Sequence, residues 1–119
     1  MSSKPIRIPG PDHPIAIEPT PGRVVVRLDD VIVADSRAAL TLREANYPPV
    51  YYIPREHAEM ALLTPSTHQT YCPYKGDASY LSAASLPNSV WSYAQPYEAV
   101  AAIEGHLAFY PDRFQISVE

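Results

Sequence analysis

From residue 23 onward, short runs of alternating apolar and polar residues are punctuated by proline and glycine, a pattern that predicts a succession of short β-strands. In residues 23–35, Val24, Val26 and Leu28 alternate with Arg23, Val25 and Arg27, Asp29-Asp30 supplies a turn, and Val31-Ile32-Val33-Ala34 returns. That is the signature of a β-hairpin. Asp35-Ser36 offers a cap, and residues 37–44 fit a short helix or a third strand; their composition leans to helix, and their apolar spacing does not decide. Val50-Tyr51-Tyr52-Ile53 predicts a strand, and Pro54 is placed to open a helix carrying Arg55, Glu56, His57, Met60 and Leu63. Thr67-His68-Gln69-Thr70-Tyr71 and Ala78-Ser79-Tyr80-Leu81 read as strands on either side of a loop, and Ser89-Val90-Trp91-Ser92-Tyr93 as another. Pro96 opens a short helix with Ala99, Val100 and Ile103 on one face, stopped by Gly105. The last stretch predicts a second hairpin, with His106-Leu107-Ala108-Phe109-Tyr110 and residues 113–118 joined through Pro111-Asp112.

Prolines at 5, 9, 11, 14, 19 and 21 make the beginning of the chain an extended, partly polyproline-like arm. Its alternating isoleucines predict that it drapes on the body, at least through Ile15-Ala16-Ile17. The expected organisation is therefore an arm over residues 1–19 and one β-rich domain over 20–119. Seven to nine short strands with two or three short helices point to a mainly β fold, a compact antiparallel sandwich or partly open barrel. A doubly wound sheet needs longer crossover helices than this pattern offers.

Composition narrows the function classes. The 119 residues carry 9 Lys+Arg against 13 Asp+Glu, a formal net charge of -4, so the chain has no electrostatic footprint for nucleic acid or an anionic membrane. Its longest apolar runs fall far short of the ~20 residues that span a bilayer. One cysteine supplies neither an internal disulfide nor a multi-cysteine zinc site, and no signal peptide is read at the start, so the expected address is the cytoplasm. No cofactor or metal is expected, and the chain is read as a monomer or homodimer. Fourteen prolines against four glycines fit strands joined by stiff turns, and nine tyrosines put phenols on half-buried surfaces.

The chemistry concentrates in Tyr71-Cys72-Pro73-Tyr74-Lys75-Gly76-Asp77-Ala78-Ser79-Tyr80, which holds the single cysteine, one of two lysines and three tyrosines. Pro73 and Gly76 predict a sharp turn. Cys72, with an ammonium three residues on, is a candidate nucleophile or redox thiol; the alternative is a small buried hydrophobe. Lys75 and Arg113 are candidates to hold a phosphate or carboxylate, and Lys75, beside a glycine in a turn, is expected to be accessible to a ligand. Tyr74 and Tyr80 are the aromatic candidates for stacking a planar ligand, while Trp91 and Tyr93, on one face of their strand, lean toward packing. The histidines at 13, 57, 68 and 106 lack metal spacing, and four scattered glycines make no phosphate loop.

Six phrases in order, Val33-Ala34-Asp35-Ser36, Tyr51-Tyr52-Ile53-Pro54-Arg55-Glu56, Cys72-Pro73-Tyr74-Lys75-Gly76, Ala78-Ser79-Tyr80, Trp91-Ser92-Tyr93 and Ala108-Phe109-Tyr110-Pro111-Asp112-Arg113, resemble a small bacterial and fungal family known as domain of unknown function 427. The resemblance covers about residues 20–118. It implies a tent-like all-β fold, two antiparallel sheets leaning together, similar to the guanine-exchange-factor relatives and the B-type methionine-sulfoxide reductases, and it implies no activity. The Cys-Pro-Tyr-Lys-Gly phrase is the family's signature, matched in full by Cys72 to Gly76. His57 stands where many members carry an acidic residue. Many tent-fold relatives hold zinc on four cysteines, which the single cysteine here excludes.

Three readings follow. The first is a small-molecule domain binding a planar or anionic metabolite in a pocket built by Tyr74, Lys75, Gly76, Tyr80, Trp91 and Arg113. The second is an enzyme using Cys72. The third is an interaction module recruiting a partner through the arm or a strand edge.

Overall fold

The computed structural model describes residues 4–119. Ten strands follow one another: β1 (Ile15–Pro19), β2 (Val24–Leu28), β3 (Val31–Ser36), β4 (Leu40–Glu44), β5 (Val50–Tyr52), β6 (Leu63–Cys72), β7 (Gly76–Ala83), β8 (Leu86–Ser92), β9 (Leu107–Phe109) and β10 (Gln115–Val118). They form three antiparallel sheets, ordered β1-β4-β5, β10-β2-β3 and β6-β7-β8-β9. The mainly β expectation holds, but the number of sheets is three where two were expected, and no barrel closes.

The β2–β3 hairpin forms as the alternation predicts. Leu28 pairs with Val31 across Asp29-Asp30, and Asp29 takes the positive φ of 54° that such a tight turn demands. β2 also pairs with β10 on its other side, so it runs through the middle of its sheet, and Val24, Val25 and Val26 are all fully buried. A central strand covered on both faces needs a continuous apolar run.

The stretch left open between helix and strand is β4. Leu42 is buried, with Leu40 packed beside it, and Thr41 on the opposite face is buried where its hydroxyl pairs with that of Thr20 at 2.7 Å. A period of two explains this burial and a helical period does not. β4 lies between β1 and β5, so the segment Ile15-Ala16-Ile17 is not merely draped: it is a paired strand, with Ile17 opposite Leu42.

After Pro54 the expected helix gives way to two single 3-10 turns, Arg55–His57 and Met60–Leu62. Between them Ala58 is extended (φ -110°, ψ 151°) and bridges Ala34, and the Glu59 amide donates to Val33 O at 2.9 Å. The edge of β3 takes these backbone groups for itself, and covering that edge interrupts the helix. Pro96 likewise leads only to 3-10 structure, Glu98–Ile103, kinked at Val100, with Val100 and Ile103 buried.

The second expected hairpin is also corrected. β9 pairs with β8, and β10 pairs with β2, matching Val118 to Val24. The intervening turn swings the chain from one sheet to another because Phe114 is buried edge-on against Phe109, ring centroids 5.1 Å apart. Ile53 joins the first and third sheets, exchanging two 2.8 Å backbone hydrogen bonds with Leu107. Two cores result. One gathers Val24, Val26, Val33, Ile53, Val90, Leu107 and Phe109; the other gathers Leu42, Tyr52, Tyr80, Tyr93, Val100 and Ile103. Among the described residues no helix is long and apolar enough to cross a membrane.

Candidate functional site

The 72–76 turn is a tight connection between β6 and β7. Cys72 pairs with Gly76, the Lys75 amide donates to Cys72 O at 3.2 Å, and Gly76 takes a φ of 106° that a side chain would oppose. This geometry turns Lys75 inward. Its side chain is 9% exposed, against the expectation that a turn lysine would be accessible, and Nζ donates to Glu44 Oε1 at 2.5 Å. Glu44 sits at the end of β4, where the alternation places it on the same face as Leu40 and Leu42. The sheet face thus ends in a carboxylate that meets the ammonium of the neighbouring hairpin.

His13 completes the group. Its Nε2–H donates to Glu44 Oε2 at 2.7 Å, and its ring stacks on Tyr74 with centroids 4.1 Å apart and planes 4° from parallel. The arm carries His13 to this position by its own backbone bonds: Gly10 and His13 bond each other, the Ala45 amide donates to Pro14 O at 2.8 Å, and the Arg7 amide donates to Pro73 O at 2.9 Å. Farther along, the Tyr71 hydroxyl donates to Pro5 O and accepts from the Tyr97 hydroxyl, both at 2.7 Å, while Lys4 pairs with Asp77. Burial and the bond to Tyr97 push the Tyr71 phenol up to about 12. The arm therefore covers the turn. Tyr74 is left between two shallow hollows, one with Ile6, Ile8 and Tyr97 and the other with Pro11 and His13.

Burial raises the Glu44 carboxyl, but the hydrogen bonds from Lys75 and His13 outweigh it and hold the group below its ordinary range. Glu44 is ionised at neutral pH, paired with one ammonium and one imidazole. Among the described residues no cluster of three His, Cys, Asp or Glu is arranged to hold a metal ion.

The structure distributes the remaining sequence candidates. Tyr80 and Trp91 are direct cross-strand partners on β7 and β8. Tyr80 is buried, its hydroxyl bonded to Thr70 at 2.8 Å, and with His68, Asp112 and Arg113 it borders a small hollow of about 270 Å³. Arg113 belongs to that hollow, away from the turn. Cys72 is half-buried against the second core.

Trp91 borders a different and larger space. A cleft of about 640 Å³ runs between the 47–51 segment and the 109–111 turn, walled by Tyr47, Pro48, Pro49, Tyr51, Trp91 and Tyr110, with Glu44 as its one charged lining residue. Trp91 and Tyr110 have centroids 4.5 Å apart at 46°, and the Trp91 indole N–H donates to the Tyr52 hydroxyl at 3.4 Å, which fixes the ring. Burial raises the phenols of Tyr52 and Tyr93 above their ordinary value, so both remain neutral.

Sequence reasoning missed Glu44 and His13 as site residues and gave Tyr47, Pro48 and Pro49 no place in a site. A signal existed for Glu44: a charged residue that continues the apolar face of an alternating strand must find a partner where that face ends. For His13 no local pattern existed, since its partners lie 31 and 61 residues away.

The architecture is an all-β domain whose signature turn is locked to the end of a neighbouring sheet. The chain belongs to the family described as Domain of unknown function (DUF427), which matches residues 16–119. No curated protein matches it.

Proposed function

We propose that the protein is a small-molecule-binding domain whose ligand is planar and lies in the cleft between the 47–51 segment and the 109–111 turn. The observation that carries this reading is the cleft's lining: a space of about 640 Å³, the size of a small-molecule site, walled by Trp91, Tyr47, Tyr51 and Tyr110 and stiffened by Pro48, Pro49 and Pro111. Proline walls and a hydrogen-bonded indole lose little freedom when a ligand arrives, so the cost of ordering is small. The signature turn has a supporting role in this reading. Lys75 holds Glu44 from behind, and Gly76 lets the turn close tightly enough for Lys75 to reach it.

The cleft favours the planar half of the sequence-based expectation over the anionic half. No lysine or arginine lines it. The test is a titration of the full chain with bicyclic heteroaromatic probes, following the melting temperature and the indole N–H resonance of Trp91, the single tryptophan. Saturable displacement of that resonance with a rise in melting temperature is expected. Millimolar probes that leave both unchanged would overturn the reading.

A further inference from the structure

We infer that the ligand of this cleft carries a positive charge next to its ring system, as in a quaternised or protonated heteroaromatic nitrogen, and that Glu44 selects it. This rests on the reading that the cleft binds a planar molecule, and it adds the sign of the charge. Three observations support it. Glu44 is the one charged residue of the lining, whereas its partners Lys75 and His13 are outside the lining. The charge that belongs to the lining is therefore negative. Each carboxylate oxygen accepts one hydrogen bond from within the protein, which leaves lone-pair capacity for a third donor.

The walls have the same preference. The faces of Trp91, Tyr51 and Tyr110 carry the negative side of the aromatic quadrupole, and a cation held over such faces gains most where water is excluded. Tyr110 keeps its proton: burial raises its phenol to about 12. An anion would meet ring faces and a carboxylate with no guanidinium or ammonium in the lining to receive it. A neutral planar molecule would gain the stacking and leave the carboxylate without a counter-charge.

The experiment compares three ligands of one shape on the full chain: N-methylquinolinium, the neutral N-methylquinolone and quinoline-carboxylate. Binding is measured by calorimetry and by the Trp91 indole resonance. The cation should bind about tenfold tighter than the neutral probe, with the anion weakest. Glu44→Gln should remove most of the cation's advantage over the neutral probe, leaving only the part the aromatic walls supply. Because that variant strands the Lys75 ammonium, the double variant Glu44→Gln/Lys75→Met is measured beside it and should show the same loss. Equal affinities for all three probes would overturn the charge preference and leave the planar-ligand reading standing. A cation preference that survives undiminished in the double variant would overturn the role of Glu44. Failure of every probe to bind would bring down both.

Discussion

Glu44 and Lys75 belong to different sheets, and their 2.5 Å contact ties the end of β4 to the β6–β7 hairpin with side chains only 14% and 9% exposed. A second tie, the Ile53–Leu107 bridge, is made of backbone and tolerates any side chain that fits. The ion pair does not. Each charge was stripped of most of its water on folding; Lys75 is paired with Glu44, and Glu44 with Lys75 and His13.

Lys75→Met should therefore destabilise the protein by about 3 kcal/mol, since it leaves a largely buried carboxylate with His13 alone. Removing both charges should cost less than removing one. In urea denaturation, Glu44→Gln/Lys75→Met should regain part of what Lys75→Met loses. A double variant as unstable as the sum of the two single variants would mean that the pair contributes no coupling.

The same pair fixes the acid limb of stability. The Glu44 carboxyl is depressed in the folded protein, so the unfolded chain takes up its proton at a higher pH than the folded one. The stabilisation is complete above the ordinary glutamate value of ~4.3 and is lost as pH falls through the depressed folded value. The melting temperatures of wild type and Glu44→Gln should differ by a constant amount above the ordinary glutamate value, and the gap should narrow as pH falls below it. The exposed Arg23–Asp35 pair lowers the Asp35 carboxyl as well, through its hydrogen bond to Arg23, but solvent screens it and it adds little to the slope. A gap that does not narrow below the ordinary glutamate value would show that the carboxylate charge is not what stabilises the site.

How much of this was legible in the sequence depended on the range of the deciding contact. The β2–β3 hairpin, the 72–76 turn and the strands around it follow from residues a few positions apart, and all were readable. The 55–63 helix was not, because Pro54 does favour a helix start; what overrides it is the edge of β3, more than twenty residues back, which claims Ala58 and the Glu59 amide. The C-terminal hairpin failed similarly: the Pro111-Asp112 turn is real, but Phe114 turns the chain toward β2. At the site, the sequence located the turn and its lysine and misjudged the lysine's exposure. A turn residue faces solvent unless another sheet ends against it, and the approach of β4 is a tertiary fact that no local pattern encodes.

Gly76 gives the sharpest test of whether the signature turn is structural in this way. Its φ of 106° lies outside the range that L side chains adopt easily, and since a Cβ there would only make ordinary contact with Gln95 O at 3.4 Å, the backbone conformation carries the cost. Gly76→Ala should cost about 2 kcal/mol. Gly10→Ala is the matched control: no positive φ is required there, a Cβ meets nothing within 4 Å, and the change should stay within about 0.5 kcal/mol. The consequence extends beyond stability. Rotating residue 76 toward negative φ withdraws Lys75 from Glu44, so Gly76→Ala should also flatten the acid limb of the melting profile toward that of Glu44→Gln. If Gly76→Ala lowers the melting temperature but keeps the wild-type acid slope, the turn and the ion pair are independent, and the glycine serves only its own backbone.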